Sequence, residues 1–273
     1  MSTGRICLVG AGNMGGAMLG GWLEAGYDPD LVTVVDPSPP PAFVKLILDH
    51  KITHVESAKD AAKPDLILVA VKPQIITTVL EGLTHLLDDE NALLSVAAGT
   101  TIENLAAPFK AAGTSPRIIR AMPNTPAQVG RGITVCVGNY GVSNAQKELV
   151  TSLLRSIGLV EWVEDEGLID AVTGVSGSGP AYVFHMAEAL AKAGEKAGLP
   201  PELAASLAQA TVSGAGELMR QSDLSPSTLR ENVTSPNGTT AAALEVLMGA
   251  DGLSELMEKA VAAATNRSRE LAG

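Results

Sequence analysis

The chain has 273 residues, enough for one large domain or two ordinary ones around a sizeable core. Hydrophobic residues make up 46% of it and aromatics only 3%, so that core must be Ala, Val, Leu, Ile and Met, the material of close-packed helices and parallel strands. A formal net charge of −11 argues against a nucleic-acid backbone or an anionic membrane as partner, and any bound anion must be held by local donors.

In chain order, "RICLV" (5–9) is a short apolar run followed by glycines and a helical pattern through Met18, Leu19, Trp22 and Leu23. Strand signals recur at 31–35, 52–55, 65–71, 92–98, 117–122 and 133–137, with helical segments at about 74–87, 102–112 and 143–156. "DPSPPP" (36–41) reads as a proline-rich turn. Continuous apolar strands separated by helices predict a parallel sheet covered on both faces. After "LVEWV" (159–163) no strand signal remains, only Ala/Leu-rich helices at about 180–198, 200–221, 225–233, 239–249 and 253–271. The expected organisation is therefore an α/β dinucleotide-binding domain of the Rossmann type over 1–163 and an all-helical domain over 164–273. That helical part is too apolar to stand alone, which predicts a homodimer built through it; the alternative is a monomer with the helices packed on the sheet.

Cys7 and Cys136 each sit in a β-like run and read as buried thiols of a reducing compartment. Glycines interrupt the N-terminal apolar run too early for a signal peptide, and no stretch reaches membrane-spanning length. A cytoplasmic protein without a metal site is expected.

Gly10, Gly12 and Gly15 form G-x-G-x-x-G directly after a strand and before a helix, the context of a dinucleotide fingerprint. Gly10 allows the turn, Gly12 lets a pyrophosphate approach the backbone, and Gly15 allows close helix packing; Ala11, Asn13 and Met14 complete the loop, whose helix N-terminus offers amides to phosphate. Asp36, at the end of the second strand, stands where a ribose-binding carboxylate is expected, and an acid there leans toward NADH over NADPH, although Ser38 can also serve this position. Ala70, Val71, Lys72 and Pro73 in "VAVKPQ" end the fourth strand at the sheet's carboxyl edge, facing the cofactor cleft; a solvated strand-end lysine is the plainer reading of Lys72. "MPNTPAQVG" (122–130) is stiffened by Pro123 and Pro126 and either offers Asn124 and backbone groups to a nicotinamide or is a structural turn. "GVSGSGPAYVF" (174–184) joins the two parts, and "VTSPNGTTAAALEVL" (233–247) sets hydroxyls and Gly238 against the start of an apolar helix.

Together, G-A-G-N-M-G, "AVKPQ", "MPNTPA", "SGSGPAY" and "VTSPNGTTAAALEVL" resemble the pyrroline-5-carboxylate reductase family in order and spacing over nearly the whole chain. The resemblance implies reduction of a cyclic imine to proline by NADH or NADPH, a dimerising helical domain, and an active site between cofactor and partner subunit. It places substrate contacts on Ser235 and Thr240 and on the backbone of Gly238 and Thr239, with Asp223 as an acidic substrate-side position in some members. Asn237 departs from the family's usual glycine, and asparagine tolerates the left-handed backbone that a glycine there would adopt. The helix-start amides and hydroxyls then suit the carboxylate of the substrate without any arginine. Thr240 is the expected hydrogen-bond partner of the ring nitrogen, which can arrive protonated. No histidine is needed: His50, His54, His85 and His185 lie in unrelated segments. Two alternatives remain. β-Hydroxyacid dehydrogenases carry a catalytic lysine in the helix after the Gly-Ser-Gly turn, where this chain has Val183 and no lysine before Lys192. A non-enzymatic Rossmann sensor would need the fingerprint but not the 235–240 turn.

Overall fold

A computed structural model describes residues 4–272. Eight strands form one sheet: β1 (Ile6–Val9), β2 (Val32–Val35), β3 (Thr53–Val55), β4 (Leu66–Val69), β5 (Ala92–Ser95), β6 (Arg117–Met122), β7 (Gly132–Gly138) and β8 (Gly158–Trp162). Their spatial order is β3-β2-β1-β4-β5-β6-β7-β8. The first six run parallel, as the apolar runs predict, with β1, β4 and β5 buried at every position. The expected parallel sheet holds through β6, with one departure beyond it: β7 is antiparallel to β6, and β8 is parallel to β7. The reason lies in the connection. Residues 123–131 hold only a short 3-10 turn, Thr125–Val129, and a chain that short cannot cross over to restart a parallel strand.

The helices of this part are α1 (Asn13–Glu24), α2 (Pro41–His50), α3 (Ile76–Glu81), α4 (Ile102–Ala111), α5 (Asn144–Leu154) and the short α6 (Ile169–Val172). In α1, Met18, Leu19 and Trp22 are buried against the sheet, and Trp22 Nε1 donates to the Leu153 carbonyl at 3.0 Å. Full burial of such side chains stabilises by about 1.5–3 kcal/mol each. Pro41 opens α2, which the proline-rich reading of 36–41 missed: a proline at the first helical position starts a helix as readily as it makes a turn. α3 is shorter than its apolar pattern predicts and stops before Gly82. Ser143 and Gln146 make a reciprocal capping box on α5, and the Thr101 hydroxyl caps α4 by accepting from Asn104 N–H.

By compactness the chain divides between Gly177 and Ser178, and the residues from Thr265 onward return to the first unit. The boundary expected near residue 163 falls at the end of β8. Residues beyond it stay with the sheet because Ile169 is fully buried with Val135 and Val137, and Ser268 donates to Asp170 Oδ1 at 2.6 Å. A π-helical turn, Thr173–Gly177, ends the first unit.

The second unit, Ser178–Ala264, carries α7 (Gly179–Lys196), α8 (Pro201–Gln221), α9 (Pro226–Asn232), α10 (Thr239–Leu247) and most of α11 (Leu253–Ala272). As expected after residue 163, these are helices only. α7 and α8 form a hairpin that is tight at Gly194, where a Cβ would lie 3.3 Å from that of Ala204. Within this unit only Ala204, Ala208 and Gly252 are buried.

Candidate functional site

The glycine loop sits at the reversal of strand order, with β2 on one side of β1 and β4 on the other, the place where open α/β sheets bind ligands. Each glycine answers a steric demand. Gly10 has φ +100°, and a Cβ there would lie 2.8 Å from the Ala70 carbonyl oxygen and 2.9 Å from Val71 Cγ1. A Cβ on Gly15 would lie 2.2 Å from the Gly10 carbonyl oxygen. Gly12 is different: nothing stands within 4 Å of where its Cβ would be. The backbone is therefore bare toward open space at Gly12, just where α1 begins with no side chain capping it. Donors and clearance both fit a dinucleotide pyrophosphate. Ala70 and Val71, placed by β4, are the residues pressed against this loop, while Lys72 and Pro73 continue as an exposed 3-10 start.

Asp36 follows β2, and its carboxylate is already engaged. Oδ2 accepts from Ala11 N–H at 2.7 Å and Oδ1 from Ser38 N–H at 2.8 Å, and His54 Nε2 lies 2.9 Å from the Asp36 carbonyl oxygen. The acid thus braces the fingerprint loop as well as standing at its rim. Asn124 is likewise committed: its Oδ1 accepts from Ile133 N–H at 2.9 Å, and its Nδ2 donates to the Ser176 carbonyl at 3.2 Å. Its side chain shapes the loop, whose backbone is also tied internally by Ala127 N–H to the Asn124 carbonyl and by Gly130 N–H to the Ala127 carbonyl.

One pair went unread in the sequence. Arg120, in the middle of β6 and 4% exposed, donates to Glu166 Oε1 at 2.8 Å. Glu166 Oε1 also accepts from Ile102 N–H at 2.8 Å, at the start of α4. The one signal was a second arginine inside the apolar run "RIIRAM". Cys7 and Cys136 are buried as expected, and burial pushes both thiols up to about 12. Among the described residues no cluster of His, Cys, Asp and Glu could hold a metal ion, and no helix is long and apolar enough to cross a membrane.

In the second unit the structure brings Ser235, Gly238, Thr239 and Thr240 into one turn. Asn237 takes φ +56°, the left-handed backbone that asparagine tolerates, so the departure from glycine keeps the turn. Gly238 N–H donates to the Ser235 carbonyl at 3.0 Å. Gly238 then stands as the extended residue before α10, and no side chain among the described residues caps that helix. Amides at its first turn are left as donors. Ser235 Oγ lies 2.4 Å from where a Cβ on Gly238 would be, so any larger residue there would force the serine hydroxyl out of its place in the turn. Ser235 and Thr239 are exposed and Thr240 half-buried; Asp223 is exposed in the turn between α8 and α9. Val183 and Lys192, the positions that weigh on the hydroxyacid alternative, lie on α7 with no lysine between them.

Comparison with known proteins supports the same reading. Residues 166–271 match the pyrroline-5-carboxylate reductase dimerisation family, and residues 5–99 match a family described as NADP oxidoreductase, coenzyme F420-dependent. A pyrroline-5-carboxylate reductase of Pseudomonas aeruginosa is 41% identical over 273 residues, covering 100% of this chain and 98% of the relative. The solved structure of a pyrroline-5-carboxylate reductase from Coxiella burnetii matches with a TM-score of 0.91 at 36% identity, covering 100% of both chains. That of the Plasmodium falciparum pyrroline carboxylate reductase, solved with NADP bound, gives 0.81 at 30% identity, again covering 100% of both. By sequence along its whole length and by fold, this chain belongs to the pyrroline-5-carboxylate reductase family.

Proposed function

We propose that the chain reduces 1-pyrroline-5-carboxylate to L-proline, with the glycine loop of the first unit holding the cofactor and the turn of the second unit holding the substrate. A reduced nicotinamide cofactor supplies the hydride. Gly10, Ala11, Gly12, Asn13, Met14 and Gly15 receive its pyrophosphate, Ala70 to Pro73 and the backbone around Asn124 line its path, and Asp36 stands at the ribose end. The observation that carries the substrate assignment is the uncapped start of α10 behind Gly238, with the hydroxyls of Ser235, Thr239 and Thr240 around it.

That arrangement supports a specific division of labour. Helix-start amides and the Ser235 hydroxyl take the substrate carboxylate, where the helix dipole favours negative charge. The Thr240 hydroxyl accepts from the N–H of the protonated ring nitrogen. Hydride arrives at the imine carbon, the C=N electron pair moves to nitrogen, and the proton already there leaves the product as a secondary amine. No side chain need deliver a proton, so orientation carries most of the rate. Asp223 is a further substrate-side group on this reading.

The exposed apolar faces of the helical unit support a homodimer as partner. Phe184, Leu207, Leu218, Val246 and Leu256 are each between 48% and 75% exposed, an arrangement that a second copy would cover. We take residues 164–273 as the dimerisation and substrate part and place the protein in the cytoplasm, where its free thiols stay reduced.

The test is a spectrophotometric assay of purified protein with pyrroline-5-carboxylate, run separately with NADH and NADPH. Substrate-dependent oxidation with proline as product is expected, with the ratio favouring NADH if Asp36 repels a 2′-phosphate. Cofactor binding without oxidation would overturn the proposal in favour of a sensor, and oxidation of 3-hydroxyacids with NAD would favour a hydroxyacid dehydrogenase.

A further inference from the structure

β6 and the start of the loop after it present three side chains of alternate positions, 120, 122 and 124, to one and the same segment. Arg120 pairs with Glu166 at the start of that segment. Met122 Cε lies so close to Gly177, at its end, that a Cβ there would come within 2.6 Å. Asn124 Nδ2 donates to the carbonyl of Ser176. Period-two spacing puts these side chains on one face of an extended chain. Segment 166–177 is thereby stapled at both ends to the strand that delivers the 122–130 loop, and between the staples it contains the π-helical turn Thr173–Gly177. π turns are rare and recur at functional sites. Glu166 adds a third attachment, because the oxygen that meets Arg120 also accepts from Ile102 N–H, just after the 97–101 loop at the end of β5.

A buried arginine paired with a half-buried carboxylate is a poor way to gain stability, since apolar residues of similar volume do as well or better, and the attested use of such pairs is to hold one register. The Arg120 side chain, 5% exposed in the middle of a strand, fits that use.

We propose that Arg120 and Glu166 are positioning residues for the reduction: by locking segment 166–177 to β6 they hold the 122–130 loop, and so the orientation of the nicotinamide that its backbone meets. The inference rests on the reading of that loop given above. Cofactor affinity depends chiefly on the glycine loop, which the pair does not touch. Loss of the pair therefore separates binding from turnover.

The experiment uses the full chain with R120M, R120K and E166Q. In cofactor-free protein, amide exchange over residues 166–177 should quicken about tenfold or more in R120M and less in E166Q, which keeps an acceptor for Ile102 N–H. The Kd for the reduced cofactor, read by fluorescence, should stay within about threefold of wild type. The kcat should fall about 10- to 100-fold, the scale of a small misplacement of reacting groups. R120K, retaining a charged donor, should recover part of it. With cofactor deuterated at the transferred position, the isotope effect on kcat should rise as hydride transfer becomes limiting; a variant that is merely less folded would lose rate with the isotope effect unchanged. If R120M does not fold, E166Q decides, its position being 30% exposed. Active wild type with unchanged kcat and isotope effect in folded E166Q, or unchanged exchange over 166–177, would overturn the proposal alone. Wild type without imine turnover would overturn the functional reading and the proposal with it.

Discussion

Two glycines three residues apart do opposite things. Gly15 is required by the fold, because any Cβ there would strike the Gly10 carbonyl oxygen at 2.2 Å, and backbone cannot swing aside as a side chain can. Gly12 is not required by the fold at all; its neighbourhood is empty. G15A should therefore lower stability by roughly 1–3 kcal/mol, the range for overpacking, while G12A should leave it within about 0.5 kcal/mol of wild type. The cofactor should notice both. G12A is the cleaner variant, a normally folded protein whose added methyl stands where a phosphate must approach, with Kd weakened about tenfold or more. Thermal melts paired with cofactor titrations check this, and a G12A protein that binds as wild type would put the pyrophosphate elsewhere. Asp36 carries a similar double duty on the proposed reading: its carboxylate accepts from Ala11 N–H, so a substitution there perturbs the loop as well as any ribose contact.

At the level of elements, regular pattern was legible and geometry across the chain was not. β1 and β4 are uninterrupted apolar runs, and α7, α8 and α11 are long periodic ones, so their positions follow from residue order alone. α2 was lost because Pro41 reads equally as turn and as helix start. The reversal of β7 was lost because strand composition does not encode direction; only the brevity of 123–131 does. In the candidate site, the glycine fingerprint and the 235–240 turn could be read because both are local. The Arg120–Glu166 pair spans 46 positions in sequence, and nothing near either residue announces the other. Asn124 was visible as a loop residue, yet its bonds to Ile133 and Ser176 depend on segments that only the fold brings together.

For the whole molecule, the two units differ in what they bury. The first has extensive cores on both sides of its sheet, whereas the second buries only Ala204, Ala208 and Gly252. Such a helical array gains little from its own packing against chain entropy of about 1–2 kcal/mol per ordered residue, which supports the proposed homodimer. Replacing Leu207 and Leu218, 48% and 56% exposed, by arginine should yield monomeric or aggregated protein in sedimentation, with activity lost; a folded, active monomer would show that the helices suffice alone. On the proposed reading the first unit holds the cofactor, and the turn before α10 holds the substrate through its amides and hydroxyls. The most direct test of that reading is G238A, whose methyl would meet Ser235 Oγ at 2.4 Å and disturb the turn before α10 without touching the glycine loop. The measurement is KM for pyrroline-5-carboxylate alongside cofactor Kd in the same preparation. A KM raised about tenfold or more, equivalent to roughly 1.4 kcal/mol of lost binding, is expected, with cofactor Kd unchanged. An unchanged KM in folded G238A would contradict that reading and move the substrate away from the start of α10.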